Sequence, residues 1–145
     1  MSPDLGPEYS LDIGRIAPHM SSEDYILFQR WRPNYYGLKP IVYYDVGIGP
    51  EQHGAEKLDQ NLQTMWRRLN QKRIDVLLRF PDRWHIVELR DRSNANAVGR
   101  LLIYEQLWKE SPPDALPVTM ELVTNWTDTS LKTLCEAHRI LYTHV

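Results

Sequence analysis

Arg73-Ile74-Asp75-Val76-Leu77-Leu78-Arg79-Phe80 and Trp84-His85-Ile86-Val87-Glu88-Leu89-Arg90 decide the fold. Both stretches have the branched and aromatic content of strands, and a short Pro81-Asp82-Arg83 turn joins them. Each carries a carboxylate where an apolar residue is expected. A buried carboxylate is costly unless it is paired or holds a cation. The hairpin therefore keeps a metal site or the remains of one.

Side-chain alternation gives a test of the pairing. Ile74, Val76, Leu78 and Phe80 share one face of the first strand, and Asp75, Leu77 and Arg79 the other. Matching the apolar faces sets Ile74, Val76, Leu78 and Phe80 beside Val87 and Leu89. Asp75, Glu88 and Arg90 then meet on the opposite side. This needs a connection with an even number of residues, because a three-residue connection turns Asp75 to the wrong face.

Outward from the hairpin, Ile41 to Ile48 reads as a strand ended by Gly47, Gly49 and Pro50. Leu58, Leu62, Met65, Trp66 and Leu69 mark one face of a helix. Ser22-Glu23-Asp24 opens an earlier helix, with a hydroxyl cap and acids in its first turn, and Pro33 stops it. Asn94 to Lys109 is a further amphipathic helix, with Val98, Leu101, Leu102 and Trp108 inward. Val118 to Val123 is a strand. Asp128 to His138 is a helix capped near Thr127, with Leu131, Leu134 and Cys135 inward. Ile140 to Val145 is a last strand. Strands that follow helices favour parallel crossovers. The expectation is an α/β fold with a mixed sheet of about five strands flanked by helices. It occupies residues 22–145, behind an irregular arm at 1–21 that holds Pro3, Gly6, Pro7, Gly14 and Pro18. Such an arm cannot build its own core, so it is expected to lie on its own domain or on a neighbouring subunit.

The chain has 145 residues and a net charge of −2, so it is no generic polyanion binder. From Arg67 to Arg100, however, nine basic residues stand against four acidic ones. That basic centre, which includes Arg73, Arg79 and Arg100, could steer a nucleic acid. The single cysteine, Cys135, permits no intrachain disulfide and fits a core position. No stretch approaches the roughly 20 apolar residues that span a bilayer. The first twenty residues lack the basic start and apolar run of a signal peptide. Neither secretion nor membrane embedding is expected.

Other chemistries find little support. The five histidines show no i, i+3 or i, i+4 pairing for zinc, and His85 faces the apolar side of its strand as a core residue would. Gly47-Ile48-Gly49-Pro50 lacks the Lys-Ser/Thr ending of a phosphate loop and reads as a plain turn. No G-x-S-x-G elbow is present. Pro81-Asp82 sits in the turn, where both residues are common for backbone reasons.

An Asp on one strand and a Glu-x-basic triplet on the next, set between helices, resembles the PD-(D/E)xK nuclease-like superfamily. The resemblance rests on Asp75 and on Glu88-Leu89-Arg90, and covers roughly Asp45 to the C-terminus. It implies that Asp75 and Glu88 would hold Mg²⁺, with Glu51 or Glu56 as the helix ligand and Asp45 a further carboxylate nearby. Hard oxygen ligands suit Mg²⁺, which activates water and neutralises charge on a phosphate. The family's Lys of the triplet is Arg90 here, and Arg100 stands where active members often present a Gln. An Arg keeps its proton and is a flat fork rather than a compact ammonium. Two basic replacements beside two acids look like salt bridges in place of a metal. The resemblance thus implies a degenerate, non-catalytic structural protein on a nuclease-like fold. Small domains of this kind look similar to tailed-phage proteins, which suggests a virion component of the neck, head–tail or tail region, found in the host cytoplasm or virion. Its partners would be other protein subunits, met through the N-terminal arm, and nucleic acid met through residues 67–100. The alternative is a Mg²⁺-dependent DNA nuclease, with Asp75, Glu88 and Glu56 on the metal and Arg90 positioning phosphate or water.

Overall fold

The computed structural model describes residues 2–11, 20–49, 60 and 72–145. Six strands form one sheet in the order β1 (Tyr9–Ser10), β2 (Ile41–Ile48), β3 (Lys72–Arg79), β4 (Trp84–Arg90), β5 (Val118–Thr124), β6 (Ile140–His144). β1 to β4 pair antiparallel, and β4, β5 and β6 pair parallel. The mixed α/β architecture is the expected one, with six strands rather than five. The sixth lies in the arm and is too short for any periodicity: Tyr9 pairs with Val42, Ser10 with Ile41, and Asp4 bridges to Gly47. Of the expected helix around Leu58 to Leu69, Gln60 alone is among the described residues, and it is helical; Glu51 and Glu56 lie outside them.

Helix α1 (Ser22–Trp31) is capped by Ser21, whose hydroxyl accepts from Asp24 N at 3.1 Å. It runs into a 3₁₀ turn over Arg32–Leu38, entered through Pro33. Leu27, Phe28 and Trp31 bury one face of α1 against Val42, Val76, Leu78, Val87, Leu89 and Val123. Helix α2 (Ala95–Glu110) begins at Asn94, whose side chain accepts from Asn96 N and Ala97 N. Helix α3 (Thr129–Ala137) begins at Asp128, not at Thr127, because the Asp128 carboxylate accepts from Leu131 N at 3.0 Å. Ala97, Val98, Leu101, Tyr104 and Trp108 of α2 and Leu131 and Cys135 of α3 cover the opposite face of the sheet. Leu134, expected inward, is exposed. The result is three layers, with α1 below the sheet and α2 and α3 above it.

Two details aim the hairpin. First, the β3–β4 ladder closes at Arg79↔Trp84, so the connection is the four residues 80–83 rather than three. Phe80 leaves the ladder and its N–H donates to Arg83 O at 2.9 Å. Four is even, and the register Val76↔Val87 and Leu78↔His85 follows. Second, strict alternation fails one step beyond the ladder. Tyr44 and Val76 pair and pack on the α1 side, whereas Val46 and Ile74 pair and pack on the α2 side. Ile74 thus leaves the face expected to hold it. The slip falls at Asp45, which adopts left-handed φ of 51°. Such a residue inverts the pleat, as a bulge does. Asp75 sits opposite this break.

Gly49 ends β2 at φ 89°, and a Cβ there would lie 2.9 Å from a Leu107 methyl of α2. Glycine allows both the turn and the close helix contact.

Candidate functional site

Asp75 and Glu88 come together. The β3–β4 ladder ends at Val76↔Val87, so the two acids follow at the point where the strands part. Asp75 Oδ2 accepts from Leu89 N at 3.3 Å, a side chain serving the backbone where the ladder stops. Glu88 is fully buried. Its Oε2 takes Nε of Arg100 at 2.9 Å and faces Nη2 of Arg90 at 3.6 Å. Its Oε1 is buried with no hydrogen-bond partner. Burial, then the neighbouring Asp75 carboxyl within hydrogen-bonding reach, pushes the Glu88 carboxyl up to about 9 against the opposing pull of Arg100 and Arg90. Glu88 therefore holds its proton more tightly than an ordinary glutamate. A proton on Oε1 needs an acceptor, and the neighbouring Asp75 carboxyl supplies one.

Arg100 is held in turn by α2. Its Nη2 donates to the Tyr104 hydroxyl at 2.8 Å, one helical turn on, and Tyr104 donates to the Arg73 carbonyl at 2.6 Å. Arg73 grips Asp45 twice, Nε to Oδ1 at 2.7 Å and Nη2 to the carbonyl oxygen at 2.7 Å. A continuous polar chain thus runs Glu88, Arg100, Tyr104, Arg73, Asp45. Burial first, and then Glu88, raises the Tyr104 hydroxyl well above an ordinary tyrosine. Tyr104 is therefore a neutral donor here.

The arginines expected to bind together are divided. Arg73 and Arg100 meet through Tyr104, while Arg79 lies at the other end of β3. It sits there 3.9 Å from Asp114 with its guanidinium over the Trp84 ring. Asp24, in the first turn of α1, is a carboxylate that sequence reasoning missed. Burial, and then Asp75, raises its pKa, which places it within electrostatic reach of the pair. Among the described residues, no group of three or more His, Cys, Asp or Glu is placed to hold a metal ion. Glu56 and Glu51 lie outside the described residues.

A second buried carboxylate was also missed. Glu121, on the α1 side of β5, accepts from Trp31 Nε1 at 2.9 Å, Tyr35 hydroxyl at 2.6 Å and Thr143 hydroxyl at 2.5 Å, and meets His85 Nε2 at 2.8 Å. Burial raises its pKa, but the hydrogen bonds from His85, Thr143 and Tyr35 outweigh burial and hold it below the usual range. His85 is buried with Thr119 on its other nitrogen, a core residue as expected. This cluster is closed and fully satisfied, and it fastens α1 and the 3₁₀ turn to the sheet.

Among the described residues, no helix is long and apolar enough to cross a membrane. No family model matches the chain, and no curated protein sequence matches it. Among solved structures, it is similar to a repair endonuclease from Pyrococcus abyssi, at 20% identity and a TM-score of 0.53. The alignment covers 90% of this chain and 49% of that one, so this chain spans about half the length of the endonuclease chain. The likeness establishes a nuclease-like α/β fold.

Proposed function

We propose that this chain is a non-catalytic binding protein that uses a nuclease-like fold as a scaffold. In this reading it serves as a structural component of a larger assembly, such as the neck, head–tail or tail region of a phage virion. The observation that carries it is the Arg100–Glu88 contact at 2.9 Å, with Arg90 beside it. A divalent cation between Asp75 and Glu88 would face the guanidiniums of Arg100 and Arg90, which lie 2.9 and 3.6 Å from Glu88 Oε2. One of the two Glu88 oxygens is already committed to them. This donor set fits a shared proton better than Mg²⁺.

The virion setting draws support from the resemblance of the hairpin and from the basic residues that replace the family's lysine and glutamine. Contact with protein subunits through the arm belongs to the same proposal. Residues 2–11 lie along β2 of their own chain, so a partner would meet the arm as the edge of the sheet. Titration of Mn²⁺ into the protein at neutral pH tests the central point. The proposal expects no saturable heat that is lost in Asp75→Asn.

One observation favours a second reading. Glu88 Oε1 is buried and orphaned, which is also how an oxygen waiting for a metal would look. In that reading Asp75 and Glu88 are ligands of a Mg²⁺-dependent nuclease, Glu56 supplies a third oxygen, and Arg90 holds a substrate phosphate. The bound metal would supply an activated water. Micromolar Mn²⁺ binding that requires both acids would select this reading over the first.

A further inference from the structure

We propose that this chain forms a symmetric dimer in which β6 pairs antiparallel with β6 of a second copy. This goes beyond the reading above and holds whether or not the acid pair binds a metal. β6 is the last strand of the sheet, and among the described residues no strand pairs with its outer side. The opposite edge, β1, is only two residues long. An open edge is a template for another strand, which proteins blunt with charge, proline or a bulge. Ile140-Leu141-Tyr142-Thr143-His144 carries no proline, lysine, arginine or carboxylate. Its ladder to β5 runs without a bulge from Met120↔Ile140 to Thr124↔His144. The strand is also held in place, since the Tyr142 hydroxyl donates to the Trp126 carbonyl at 2.5 Å.

The backbone sets the register. The Val145 N–H donates to Thr124 O at 2.9 Å, so Val145, Thr143 and Leu141 aim their backbone groups at β5. Ile140, Tyr142 and His144 aim theirs outward. A two-fold axis at Tyr142 sets Tyr142 against the partner's Tyr142, and Ile140 against the partner's His144. Every outward residue then sits in a pair that exchanges both hydrogen bonds. Moving the axis to Leu141 or Thr143 leaves His144 or Ile140 unpaired. The same register sets Leu141, which is 52% exposed, against the partner's Thr143 and covers it.

Charge selects a second copy over an unrelated strand. Leu131 and Cys135 of α3 share a core cluster with Met120 of β5 and Ile140 of β6, so α3 lies over this edge of the sheet. Pairing β6 with β6 brings two copies of α3 side by side, about 10 Å apart, the spacing of packed helices. With Leu131 and Cys135 inward, helical spacing puts Lys132 and Glu136 together on one flank of α3. The right-handed crossover from β5 to β6 turns that flank outward, past the edge. Both residues are exposed, and neither has an ion-pair partner among the described residues. Tyr142 lies about 7 Å along β6 from its start, and the midpoint of Lys132 and Glu136 about 5 Å back along α3 from its end. The axis therefore passes near both. The two helices run antiparallel about it, so Lys132 of each copy meets Glu136 of the other. One patch complements itself, as a two-fold dimer requires.

Sedimentation equilibrium of the full chain over a concentration series tests this. It should show a species of twice the 17.1 kDa of one chain. His144→Pro removes an outward N–H and sets a ring against the partner strand, and should leave a monomer. Lys132→Glu and Glu136→Lys should each raise the dimer Kd by about tenfold. An equimolar mixture of those two variants should recover tight pairing as a heterodimer. Mixing cannot repair a fault within one helix, so the recovery reports contact between copies. Matched far-UV circular dichroism and Tm confirm that the variants fold. A monomer at every concentration overturns the proposal. So does a dimer that His144→Pro leaves intact, or a mixture that pairs no better than its components. These outcomes leave the acid pair untouched, since that site is read separately by Mn²⁺.

Discussion

Arg100 on helix α2 and Glu88 on strand β4 are joined Nε to Oε2 at 2.9 Å, and this contact occupies one of the two Glu88 carboxyl oxygens. Glu88 is wholly buried while the Arg100 side chain is about half exposed. The arginine therefore closes the carboxyl from the solvent side. Its position is set by Tyr104, which ties α2 to the carbonyl of Arg73.

Arg100→Ala should destabilise the fold by about 1–2 kcal/mol, because a buried carboxyl loses its principal donor while the half-exposed arginine itself gives up little. Urea unfolding reads this as a lower midpoint with an unchanged slope. In the Glu88→Gln background the same change should cost less, since an amide is easier to leave unpaired than a carboxyl.

Stability should fall as pH rises from about 4.5 to about 9. A glutamate in the unfolded chain titrates near the ordinary 4.5, and folded Glu88 near 9. Between those values the folded chain holds the extra proton, so raising the pH favours unfolding. The contribution of Glu88 is complete below the lower value and gone above the higher one. Glu88→Gln, uncharged throughout, should flatten this alkaline arm in a plot of Tm against pH.

Glu121 should give the opposite arm. Its folded pKa lies below the ordinary value, so the unfolded chain binds more protons in acid. Its stabilisation is present above the ordinary carboxylate range and disappears as pH falls through the folded value. Glu121→Ala should cost about 3–5 kcal/mol at neutral pH, since it strands Trp31, Tyr35, Thr143 and His85 without their acceptor. Thermal melts from acid to neutral pH would show both the loss and the flattened acid arm.

Alternation placed Asp75 and Glu88 together because the two strands read cleanly and the connection is even. The same reasoning misplaced Ile74, since nothing in the residue types announces that Asp45 adopts a left-handed φ and shifts the pleat. Strand β1 escaped notice because two residues carry no period. Glu121 was legible by the rule that singled out Glu88, a lone acid in the apolar run Val118-Thr119-Met120-Glu121-Leu122-Val123. Its four partners come from positions as distant as Trp31 and Thr143, which only the tertiary fold assembles. The Arg100–Tyr104 step was visible as an i, i+4 pair, but its target at Arg73 was not.

Gly99→Ala should stabilise the chain by about 0.5–1 kcal/mol. Gly99 lies inside α2, and a Cβ there meets nothing within 4 Å. Alanine reduces the freedom of the unfolded chain and adds helix propensity at no steric cost. A rise in Tm of a few degrees, with unchanged circular dichroism at room temperature, would show it.

The most direct test of the arginine-closed acid pair is cleavage of single-stranded and supercoiled DNA by the pure protein in Mg²⁺ or Mn²⁺. The account predicts no cleavage above that of an Asp75→Ala/Glu88→Ala control prepared in the same way. Metal-dependent cleavage that disappears in the control would contradict it and make Asp75 and Glu88 the ligands of a working nuclease.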